Sequence, residues 1–153
     1  MKKFILIFVL MLFSLTQNNF LAAEKDKDGC KDHPLIPRMP EYYILDCNDT
    51  QAKSDVDIIR GDTTESVHLE GKSSVYLYKS QPDAKTKLSD TRLISDFGKA
   101  LEKMNGIFFG LTYGQKWPVY TIEKDGKKYW IILLVDSGEY YNGSYACRII
   151  END

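Results

Sequence analysis

Tyr129-Trp130-Ile131-Ile132-Leu133-Leu134-Val135 is the longest apolar run outside the N-terminus. Its seven residues fall well short of a bilayer span and match an ordinary strand. The run does not alternate, so both of its faces are expected to be covered. It is read as the central strand of a small α+β domain. The expected architecture is a mainly antiparallel sheet of about six to seven strands with one principal helix packed on it.

The flanks support that reading. Lys124-Asp125-Gly126-Lys127 carries an Asp-Gly pair suited to a two-residue hairpin turn, which delivers the chain into the run. Upstream, Ile107 to Tyr113 and Val119 to Glu123 read as strands separated by a loop, Gly114 to Pro118, that carries Trp117. Downstream, Asp136 to Gly143 is a polar loop with Tyr140 and Tyr141, and Ser144 to Ile150 is a last strand. The principal helix is expected from about Asp90 to Met104. Leu93, Ile94, Phe97, Ala100, Leu101 and Met104 recur there at helical spacing. Ser89 or Asp90 can cap its start, and Asn105-Gly106 supplies the left-handed stop.

The N-terminal half reads mostly as strands. Tyr42 to Cys47 is the first, followed by an expected turn at Asn48-Asp49-Thr50. Val56 to Ile59 is a second short strand, turned by Gly61-Asp62. Glu70-Gly71-Lys72 is expected to be a tight turn between Val67–Leu69 and Ser74–Tyr78. In that register Val67, Leu69, Val75 and Leu77 face inward, and His68, Tyr76 and Tyr78 face outward. Ahead of these, His33 to Pro40 holds three prolines, which exclude a helix and force an extended arm. Leu35, Ile36 and Met39 are expected to lie against the domain, with Arg38 pointing out.

Residues 1–23 have the layout of a secretory signal peptide: Lys2 and Lys3, an apolar core from Phe4 to Leu15, and Ala23 before the charged Glu24 to Asp28. That leaves residues 24–153 as a single α+β domain with no transmembrane segment after signal removal, and a periplasmic or outer-membrane-associated location is expected. Removal of the leader takes away two lysines and moves the formal charge from −2 to −4. A mildly acidic chain with interspersed signs has no basic stripe for phosphates, which argues against nucleic acid. Export favours an oxidising compartment for Cys30, Cys47 and Cys147. Three pairings can be drawn. The local one, Cys30–Cys47, is favoured because it ties down the arm, and its loop-closure entropy is on the order of 3 kcal/mol. Cys147 is left as a buried thiol that behaves as a small hydrophobe.

Catalytic constellations are sparse, and no catalytic residue, metal site or cofactor is assigned. His33 and His68 are the only histidines. With Cys30 and Cys47 bridged, Cys147 with His68 is the only Cys–His pair left for a small hydrolase or thiol enzyme. Glu24, Asp26, Asp28, Gly29 and Asp32 fall at calcium-loop spacing, but Leu35 stands where a bidentate acid belongs. The aromatic residues are the stronger lead. Tyr76, Tyr78, Trp117, Tyr140 and Tyr141 lie in expected loops or outward faces, and such side chains suit contacts with an envelope protein or glycan.

Lys31-Asp32-His33-Pro34-Leu35-Ile36-Pro37-Arg38-Met39-Pro40-Glu41-Tyr42-Tyr43-Ile44 resembles the start of an uncharacterised domain. That domain precedes the OmpA-like peptidoglycan-binding domain in some Gram-negative exported proteins. The Leu69–Lys72 element, the Leu101–Gly106 helix end and the Lys124–Val135 hairpin and strand follow in matching order. The resemblance implies an envelope location and no assigned activity. The second domain is not expected within these 153 residues, and the resemblance is not expected to bring a peptidoglycan-binding site. The expected function is an exported, non-enzymatic interaction domain. The alternatives are a small periplasmic hydrolase or thiol enzyme, and an inhibitor of a cell-wall lytic enzyme.

Overall fold

A computed structural model describes residues 23–85, 88–135 and 143–152. The expected signal peptide therefore lies outside the described residues except for Ala23, and so do Tyr140 and Tyr141. The elements are β1 (Tyr42–Arg60), β2 (Thr63–Ser80), α1 (Asp90–Glu102), β3 (Ile107–Thr112), β4 (Pro118–Lys124), β5 (Lys127–Leu134) and β6 (Ser144–Asn152). The six strands are antiparallel and close into a barrel in the order β1-β2-β6-β5-β4-β3. Closure was not foreseen. It rests on a short seam in which Ile58 pairs with Thr112 and Ile59 with Leu111. Gly110 makes the seam close: a Cβ there would stand 2.4 Å from the Ile59 carbonyl oxygen.

Two apolar cores result. One draws residues from all six strands, including Ile58, Leu69, Phe109, Val119, Trp130 and Ile150, and fills the barrel. The other lies outside one wall of the barrel. It packs α1 and the arm, through Leu93, Phe97, Leu101, Leu35, Ile36 and Met39, against the outer faces of β2, β4, β5 and β6. Strand alternation divides β5 between them, with Trp130 and Ile132 inward and Ile131 and Leu133 outward. Both faces of the opening run are thus covered, as its unbroken apolarity requires.

Several local expectations meet their physical cause. Asp125 and Gly126 both have positive φ (53° and 75°), the combination a two-residue I′ turn demands. Ser89 caps α1 by accepting from the Arg92 N–H, and Asn105 takes the left-handed φ of 62° beyond its end. At 13 residues α1 is smaller than a principal helix. Tertiary pairing overrides the N-terminal turn signals. Asn48, Asp49 and Thr50 run straight through β1 opposite Val75, Ser74 and Ser73. Gly71 is no turn either: it sits within β2 at φ 141°, facing the end of β6. The only turn of this hairpin is at Gly61-Asp62, so the strands expected as short pieces are two long ones.

A bulge between Ile44 and Asp46 shifts the register of β1. It brings Ile44 and Cys47 to the same outer side, and Cys47 there forms a disulfide with Cys30. Lys27 donates its N–H to the Ile44 carbonyl at 2.8 Å, so the arm runs beside the start of β1. No helix among the described residues is long and apolar enough to cross a membrane.

Candidate functional site

Among the described residues, Tyr76, Tyr78 and Trp117 do not form a common face. Tyr78 is fully buried, a correction to its expected outward orientation. The arm lies over its strand: Arg38 sits over the Tyr78 ring at 5.9 Å, and the Tyr78 hydroxyl donates to Asp32 at 3.3 Å. On its other side Tyr78 stacks on Tyr145 at 4.8 Å. Tyr76 is half-buried in the same layer, with its ring stacked on Tyr78 at 6.3 Å and facing His33 at 6.4 Å. Leu69 is inward, as alternation along β2 requires. Tyr76 and Tyr78 point the other way, but that face carries a second core.

Arg38, expected to point outward, is held inward. It donates to Asp26 through two nitrogens (3.0 and 2.7 Å) and to Asp32 through Nε at 3.0 Å. Two of the acids at calcium-loop spacing are therefore occupied by a guanidinium. No group of three or more His, Cys, Asp or Glu placed to hold a metal ion occurs among the described residues. Cys147 and His68 are not brought together. Cys147 is fully buried in the outer core, and burial pushes its thiol pKa up. His68 is exposed on β2 between Asp55 at 2.7 Å and Glu70 at 3.3 Å.

Trp117 remains, and it marks the open end of the barrel. The opposite end is plugged: Phe109 and Trp130 meet edge-on at 4.8 Å, with Arg60 over Phe109 and Lys128 over Trp130. At the open end a cavity of about 300 Å³ is lined by Val56, Trp117, Ile132, Leu134 and Arg148 together with Asp55, Asp57, Thr112, Tyr113 and Gln115. The β3–β4 connection holds Trp117 at three points. Its N–H donates to Thr112 Oγ1 at 3.0 Å, its carbonyl accepts from the Thr112 N–H at 2.9 Å, and its indole Nε1 donates to the Val135 carbonyl at 3.0 Å. The indole N–H is thereby satisfied and the ring is left as an apolar wall. Tyr113 stands beside it, 65% exposed, with its N–H on the Asp57 carbonyl at 2.8 Å. A pre-formed, mostly apolar concavity with a few fixed polar groups is the usual form of a small-ligand site, and barrel mouths are a common place for one.

Arg148 was missed by sequence reasoning. Its signal is its position in β6. Alternation puts it on the same face as Ile150, whereas Cys147 and Ile149 belong to the outer core. An arginine in an inward-facing register position is a departure from binary pattern that calls for a reason. No family model, curated protein or solved structure matches this chain.

Proposed function

We propose that this protein is an exported, non-enzymatic binding domain that takes its ligand at the open end of the barrel. The observation that carries the reading is the cavity beside Trp117, where the apolar interior of the barrel reaches the surface. The leader-like N-terminus and the Cys30–Cys47 disulfide support export. The resemblance to an envelope domain agrees with them. An envelope protein or glycan presenting an apolar or aromatic-stacking group would meet Trp117 and Tyr113 first.

The test is a neutral fluorescent probe of apolar sites, N-phenyl-1-naphthylamine. The folded chain is expected to bind it with one-to-one saturation, and Leu134→Arg, which puts a charge in the mouth, to weaken binding by about tenfold or more. No binding, or binding unchanged in Leu134→Arg with the fold intact by circular dichroism, would sink the reading.

A further inference from the structure

Arg148 is the group at the mouth whose chemistry is unaccounted for. Its register partners are Ile132 on β5 and Val75 on β2, both apolar. Its Nε donates to Ser73 Oγ at 2.9 Å, and Ser73 is fully buried. That bond fixes the plane of the guanidinium. The two terminal nitrogens have no hydrogen-bond or ion-pair partner among the described residues. Arginine stays charged in proteins, and its planar fork matches a carboxylate in two-point geometry. Among the described residues no side-chain nitrogen is buried without a partner, so the two terminal nitrogens open to the mouth, where an anion can reach them. The two acids of the lining make no ion pair with Arg148. Asp55 is committed to His68 at 2.7 Å. Asp57 is exposed, and alternation along β1 puts its side chain on the opposite face from Val56.

We infer that the mouth takes an organic anion, its carboxylate on the two terminal nitrogens of Arg148 and its apolar body against Trp117, Ile132 and Leu134. The inference rests on the proposed role of the mouth as a ligand site. A second depression of about 320 Å³ over Val75, Leu77 and Ala146 shares Leu134 with the mouth. The same chemistry can come from a free apolar acid or from the C-terminal residue of a peptide.

The experiment titrates the full mature chain with 2-naphthoate and with its neutral amide, following the Trp117 indole resonance by NMR. A parallel pair is acetyl-Gly-Gly-Leu as free acid and as C-terminal amide. Naphthoate is expected to bind at least about tenfold tighter than naphthamide, the worth of a hydrogen bond to a charged group. Arg148→Gln should erase that preference, and Arg148→Lys should keep part of it. The peptide pair assigns the source: acid-over-amide preference in the peptides as well points to a chain terminus, and preference confined to naphthoate points to a free acid. Equal binding of naphthoate and naphthamide, or a preference that survives Arg148→Gln, overturns the anion and leaves the mouth standing. No shift at Trp117 with any probe overturns both.

Discussion

His68 lies on the solvent face of the hairpin with a carboxylate on each ring nitrogen. The hydrogen bond to Asp55 and then the one to Glu70 raise its pKa above the ordinary histidine value. His33, half-buried at the start of the arm, goes the other way, chiefly because burial disfavours its charge and next because of Lys72. One NMR titration should therefore separate the two imidazoles, His33 titrating below and His68 above the usual value of about 6.5. Linkage gives the sign for His68. Its raised folded-state pKa adds stability in full below about pH 6.5, and that stability fades as pH rises through the raised value. Asp55→Asn should bring the His68 midpoint down; an unmoved midpoint would show that Asp55 does not hold the charge. Legibility at this scale was uneven. Trp117 could be found because a tryptophan between two strand signals stands out. Arg148 could not, because nothing in the order of residues says that its strand turns that face into a barrel. Tyr78 was misjudged for a related reason: alternation separates two faces of a strand, and here both are cores.

At the scale of elements, the arm is the part with the most specific chemistry. Asp26 accepts from Arg38 and, at 2.7 Å, from the Ile44 N–H, so one carboxylate links the arm to β1. The Arg38 hydrogen bond is the main reason its pKa is lowered. Its contribution is complete above the ordinary aspartate value of about 3.9 and is lost as pH falls through the lowered one. Arg38→Ala should cost about 1–2 kcal/mol in urea unfolding, charged hydrogen bonds discounted for partial exposure. A loss near zero would mean that the prolines, the disulfide and the apolar contacts of Leu35, Ile36 and Met39 hold the arm without it. The helix, the Asp-Gly turn and β3 to β6 were legible because their signals are local: apolar period, cap residues, turn dipeptides. The β1–β2 hairpin was not, because Asn48, Asp49 and Thr50 are turn-formers by preference and strand residues only through their cross-strand partners.

For the whole molecule, the decisive unreadable fact was closure. A meander of antiparallel strands can stay open or curl, and the choice is made where β1 meets β3 beside Gly110. Gly71 makes the matching close approach on the far side of the hairpin, where a Cβ would fall 1.9 Å from the Glu151 carbonyl oxygen. At φ 141° a side chain is strained there as well. Gly71→Ala should therefore destabilise the fold by about 2–4 kcal/mol in a denaturant titration, far above an ordinary surface substitution. A cost under about 0.5 kcal/mol would mean that β6 yields easily.

The long hairpin belongs to both cores. Tyr42, Ile44 and Tyr78 at its open end pack under the arm, while Ile58, Val67 and Leu69 toward its tip fill the barrel. Loss of either core loosens the strand pairing on which the other depends. A chain with two separate apolar centres is thereby made to lose its structure in one step, and a ligand that steadies the mouth steadies the distant arm with it.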